Sequence, residues 1–86
     1  MSREDAVAVG LACASCGTPQ ARGSECAVEV GAEGALGHYG SRFDLDAFSW
    51  TGERPAWAAD GWNCDSCAEA LIDGGLLGER RALEKA

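Results

Sequence analysis

Two C-x-x-C pairs, Cys13-Ala14-Ser15-Cys16 and Cys64-Asp65-Ser66-Cys67, constrain this chain more than any other feature. One such pair can place two sulfurs on one ion, and two pairs supply the four soft ligands that tetrahedral zinc prefers. Any fold compatible with that chemistry must bring a point near one end of the chain against a point near the other. The expected ligand set is Cys13, Cys16, Cys64 and Cys67 around one structural Zn2+ ion.

The two pairs differ in kind. Gly17 follows Cys16 directly, and a glycine there lets the backbone take a positive φ and turn its N–H groups toward the sulfurs, the geometry of a zinc knuckle. Cys67 is followed by Ala68-Glu69-Ala70-Leu71-Ile72, a helix-compatible run with an apolar face. Ser66, with Glu69 three positions on, has the form of a capping box. The second pair is therefore expected to open a helix, whose N-terminal N–H groups and dipole favour thiolates. Gly74-Gly75 should stop that helix at about Asp73.

A metal would matter for stability as well as for chemistry. A chain of 86 residues with 12 Gly, 3 Trp and 2 Phe has little apolar material for a core, so a staple is expected. Structural zinc contributes roughly 10–16 kcal/mol in small finger peptides, against a net stability of roughly 4–13 kcal/mol for a domain of this size. Residues 1–86 are read as one zinc-stabilised domain, with 1–5 and about 79–86 frayed. Five cysteines is an odd number, and Met1-Ser2-Arg3-Glu4-Asp5 does not begin a signal peptide. No apolar run approaches the length of a membrane span. A cytoplasmic, reducing setting is expected, where this spacing favours metal over disulfides.

The formal charge of −7 argues about partners. Four thiolates around one divalent ion add a further −2 to it. Nucleic-acid binders draw most of their affinity from counterion release at a basic surface. Here only Arg80, Arg81 and Lys85 cluster, beside Glu79 and Glu84, as on a solvated helix face.

Taken in order, Ala6-Val7-Ala8-Val9-Gly10-Leu11-Ala12 reads as a short strand or extended lead-in, and residues 17–24 as a loop. Glu25-Cys26-Ala27-Val28-Glu29-Val30 alternates, placing Cys26, Val28 and Val30 on one inward face. Residues 31–37 read as a glycine-punctuated turn and His38-Tyr39-Gly40-Ser41-Arg42-Phe43 as the returning strand. Asp44–Trp50 fits an irregular helical turn as well as a strand. Leu76-Leu77 is expected to pack back on the domain, with a last helix over Glu79–Lys85. Cys26 is read as a buried small hydrophobe rather than a fifth ligand. His38 is read as a hairpin or surface histidine, and most of the tryptophans as covering the metal site.

Knuckle, hairpin, then C-x-x-C at a helix start resembles the treble-clef zinc fingers over residues 13–73. The fold class implied is a small α+β zinc-binding domain in which Cys13 and Cys16 match the knuckle ligands and Cys64 and Cys67 those at the helix. The segment Tyr39-Gly40-Ser41-Arg42-Phe43-Asp44, with the second pair and its short helix, is also similar to small bacterial zinc-binding proteins of unassigned role. The long gap between the pairs and the extra Cys26 depart from a minimal finger.

The function this supports is a protein-interaction module with a structural four-cysteine site, acting on a protein partner or on itself. A nucleic-acid-binding finger, or a redox or iron-binding C-x-x-C protein, is the alternative. Neither an enzyme nor a small-molecule substrate is expected, because four thiolates leave a zinc ion no open position.

Overall fold

The computed structural model describes residues 2–20 and 25–79 of the chain. Their order is α1 (Arg3–Ala8), β1 (Val28–Gly31), β2 (Gly34–Gly37), β3 (Ala47–Trp50), β4 (Gly61–Asn63), α2 (Asp65–Asp73) and β5 (Leu77–Glu79). The strands form one antiparallel sheet in the order β4-β1-β2-β3-β5. Among the described residues no helix is long and apolar enough to cross a membrane.

The first element departs from expectation. Residues 6–8, read as the start of an extended lead-in, belong to α1, and Arg3–Asp5 form its first turn. Ser2 caps that turn, its hydroxyl accepting from the Asp5 N–H at 3.2 Å, while Glu4 and Asp5 sit near the positive end of the helix dipole. Gly10, at φ +81°, ends it: the Leu11 N–H returns to the Ala6 carbonyl at 2.8 Å and the Gly10 N–H to that of Val7 at 3.1 Å. This is the paired closure of a Schellman motif.

The hairpin is shifted relative to the sequence reading. Its turn is Ala32-Glu33, flanked by the pair Gly31 and Gly34, so residues 34–37 form a strand and residues 38–46 connect it to β3. Gly34 and Gly37 are strand glycines for a steric reason. A Cβ at Gly34 would overlap the Phe48 carbonyl oxygen, and one at Gly37 would overlap that of Phe43. Residues 47–50, which fitted helix or strand, are β3. Leu77 belongs to β5, which pairs with β3 from Trp50↔Leu77 to Phe48↔Glu79. Glu79 thus ends a strand rather than opening a helix, and the remainder of the expected last helix lies outside the described residues.

One face of the sheet carries the apolar core. Val28, Val30, Ala35, Phe48 and Leu77 pack with Ala58 and with Ala68 and Leu71 of α2. Cys67, Ala68 and Leu71 are the buried positions of α2, a stripe at helical spacing that runs from the second thiol pair into the core. The helix closes as a second Schellman motif, Leu76 N–H to Leu71 carbonyl at 2.9 Å and Gly75 N–H to Ile72 carbonyl at 3.0 Å, with Gly75 at φ +75°. Its end at Asp73 agrees with the sequence reading.

Between β3 and β4 the connection is held by Arg54. Its guanidinium donates to the Ala58 carbonyl at 2.9 and 3.1 Å, pairs with Asp60, and lies 5.1 Å from the Trp50 ring centre. The Trp50 indole N–H in turn donates to the Gly31 carbonyl at 2.9 Å.

Candidate metal centre

The first thiol pair sits in a tight loop pinned at its base by the bridge between Ala12 and Pro19. The Cys13 N–H donates to the Thr18 carbonyl at 3.1 Å, and the Gly17 N–H returns to the Cys13 carbonyl at 2.8 Å. Gly17 has φ +74°, the left-handed backbone expected of it. With that turn made, the Cys16 N–H points at Cys13 Sγ, 3.4 Å away.

The second pair lies where β4 runs into α2. Cys64 is the N-cap residue, and its side chain makes no capping hydrogen bond. The expected capping box from Ser66 to Glu69 is not formed, because the helix already begins at Asp65 and the cap position is held by a cysteine. Glu69 instead pairs with Arg42, and Asp65 accepts from the Arg42 N–H at 2.8 Å. One turn separates Cys64 from Cys67, so both sulfurs face the knuckle.

The fold brings all four sulfurs together, every pair within 4.8 Å. The Cys13–Cys67 separation is 3.5 Å and the Cys16–Cys64 separation 3.9 Å. A tetrahedron of sulfurs each about 2.3 Å from a central ion has edges of about 3.8 Å, whereas a disulfide would join two of them at about 2.05 Å. All five cysteines are free thiols. Four soft donors at this spacing could bind a metal ion. Cys13 is fully buried, Cys64 and Cys67 are buried, and Cys16 faces solvent.

The two halves are joined by Asn63, which sequence reasoning passed over. Its side chain is fully buried and donates to the carbonyls of Ala59 at 3.1 Å and Gly61 at 3.0 Å. Its Oδ1 accepts from the Ser15 hydroxyl and lies 3.7 Å from Cys13 Sγ. Ser15 Oγ also accepts from the Ala59 N–H at 3.0 Å. Backbone contacts run alongside, with Ala14 N–H to Trp62 carbonyl at 2.9 Å and Cys64 N–H to Cys13 Sγ at 3.4 Å. A polar residue directly before a thiol pair, with a serine inside the other, was the only signal available.

Burial governs both thiols of the second pair. It pushes Cys64 and Cys67 above the usual thiol range, so the helix terminus does not lower them as its dipole alone would. A bound cation, which deprotonates coordinating thiols outright, would have to supply that stabilisation. Cys16 is the exception, lowered to about 6 chiefly by the Thr18 hydroxyl 3.2 Å from its sulfur. Cys26 is raised to about 12 by desolvation. It is buried against Cys13, Cys64 and Cys67 with Trp62 alongside, and its own sulfur is not one of the converging four.

His38 likewise is not among the convergent donors; its ring packs 5.1 Å from that of Trp62 and its Nε2 lies 3.2 Å from Glu29. Of the tryptophans expected to cover the site, only Trp62 packs on the sulfurs. Trp50 lies against the apolar core, and Trp57 is 46% exposed. The difference follows from topology: β4 abuts the site, whereas Trp50 is on β3 and Trp57 is in the connection between them.

No protein-family model matches this chain, and no curated protein and no solved structure is recognisably similar to it.

Proposed function

We propose that this chain is a protein-interaction module built on one structural Zn2+ ion held by Cys13, Cys16, Cys64 and Cys67. The observation that carries the reading is the convergence of four sulfurs from two distant stretches of the chain, within 4.8 Å of one another. Four thiolates close the shell of a zinc ion, so the metal's role is to hold the fold rather than to activate water or substrate. The order knuckle, hairpin, helix supports a treble-clef-like arrangement over residues 13–73, extended here by β3, β4 and β5.

An interaction role is supported by what the surface presents. Tyr39 is 86% exposed, Leu45 71% and Trp57 46%, all within the Phe43–Trp62 connection or close before it, and the formal charge of −7 opposes phosphate. Elemental analysis with native mass before and after chelation tests the metal, and one zinc per chain is the expected result. Iron in its place would favour the redox alternative. Recovery of a protein partner by wild type but not by a zinc-loaded Trp57→Ala variant tests the role. A monomer that binds DNA or RNA with steep salt dependence would refute it.

A further inference from the structure

Among the described residues, Leu45 is the only non-glycine with a positive φ, at +60°. In that left-handed region a side chain crowds the following carbonyl, and glycine or asparagine is the relaxed choice. Leu45 is also 71% exposed and packs on neither group of buried side chains. A leucine here therefore costs the fold backbone strain and apolar exposure and returns no packing, the pattern of a residue kept for function. We propose that Leu45 enters an apolar pocket ringed by lysine or arginine side chains on a partner protein; the inference rests on the interaction reading above and assigns the surface that would serve it.

The segment that presents Leu45 is fixed before any partner arrives. On its far side the Asp46 carbonyl accepts from the Gly37 N–H at 2.8 Å, and the Asp46 N–H returns to the Phe43 carbonyl at 2.9 Å. On its near side Phe43 packs edge-on against Phe48, 5.8 Å between centroids, and Arg42 ties the backbone to Asp65 and its guanidinium to Glu69 of α2. A side chain held out on a rigid loop loses little freedom on binding, which favours it as an anchor.

Charge decides what kind of pocket it fits. Asp44 and Asp46 flank Leu45 and are both exposed, and among the described residues neither carboxylate has an ion pair or a hydrogen bond. Arg42 does not offset them, being engaged by Glu69. An apolar plug with a carboxylate on each side is complementary to an apolar pocket with a cationic rim, and the chain's formal −7 steers it there. A second copy offers the wrong sign: the hollow of about 420 Å³ that Leu36 and Ala47 line on the sheet also carries Glu29 and Glu33.

The test places the photo-crosslinker p-benzoylphenylalanine at position 45, and separately at position 57, in the full chain expressed in cells of the source organism. A protein crosslinked from position 45 is identified by mass spectrometry, purified, and titrated with the zinc-loaded chain. Leu45→Ala and Leu45→Gly should each weaken that binding by at least about tenfold while keeping zinc and fold. The Asp44→Asn/Asp46→Asn double variant should weaken it by about two- to tenfold at low salt, with the difference narrowing at high salt. Equal affinity for wild type and Leu45→Gly overturns the proposal. Crosslinking from position 57 alone overturns it and leaves the interaction reading standing, whereas no crosslink from either position overturns both. A product of twice the chain's own mass would assign Leu45 to a second copy, and binding to phosphatidylcholine vesicles that Leu45→Gly abolishes would assign it to a lipid surface; either refutes the partner.

Discussion

Replacing Asn63 by alanine tests whether metal affinity in this chain depends on a residue that touches no ion. The side chain makes two donor bonds, to Ala59 and Gly61, and accepts one from Ser15, all around a fully buried position. A hydrogen bond contributes about 0.5–1.5 kcal/mol, and a buried carbonyl left unpaired costs more. Three bonds and a small cavity therefore set the loss at about 3 kcal/mol or above. If folding and metal binding are one equilibrium, that loss weakens the apparent zinc affinity by about 100-fold at 1.4 kcal/mol per decade. Competition against a chromophoric chelator at fixed pH reads it directly, with free zinc buffered so that mass action does not conceal the change. Ser15→Ala shares the network, so the double variant should lose less than the sum of the singles. A zinc affinity for Asn63→Ala within about threefold of wild type would refute this account of how knuckle and helix are joined.

Other outcomes follow from single residues. Cys64→Ser should lose the zinc and most of the folded signal, whereas Cys26→Ser should keep one zinc per chain and lose about 1–2 kcal/mol for burying a hydroxyl; elemental analysis and melting of both variants check this. Leu45 has φ +60° and is 71% exposed, so Leu45→Gly should raise stability by about 0.5–1 kcal/mol in a urea titration. Gly34→Ala should cost more than about 2 kcal/mol, because its Cβ has no room beside the Phe48 carbonyl. Arg54→Ala should lower the unfolding free energy read from a urea titration by about 1–2 kcal/mol without changing zinc stoichiometry, since the residue holds the β3–β4 connection and reaches the Gly31 carbonyl but none of the sulfurs.

What was legible in the sequence was what local chemistry alone decides. Gly17 had to turn the knuckle, Gly74-Gly75 had to end α2, and paired thiols had to meet. The elements that went unread are short and are decided by distant neighbours. β2 is Gly-Ala-Leu-Gly, a turn by composition and a strand only because β1 and β3 flank it and the carbonyls of Phe48 and Phe43 leave its two glycines no room for a side chain. α1 carried its signal in Ser2 and the acidic pair after it, but the apolar run Ala6–Ala12 suggested extended chain more strongly than six residues suggested a helix. Asn63 could not be found from type or spacing, because its role exists only once Ser15, from the other end of the chain, is beside it.

The apolar core and the sulfur cluster are separate groups of buried side chains, spanned by α2. The sheet order places β4 and the sulfurs at one edge and β5 at the other. An ion at the sulfur end would tie two distant stretches of chain but contribute no contact to the far edge, where three residues of β5 are held by β3 and the close of α2. Amide exchange should register that asymmetry as two opening reactions. The β4 and knuckle amides open only when the ion leaves, and those of β5 open by local detachment with the ion still bound. Tighter metal binding would slow the first and leave the second unchanged, so the protection of the β5 amides belongs to the far edge of the sheet and not to the ion.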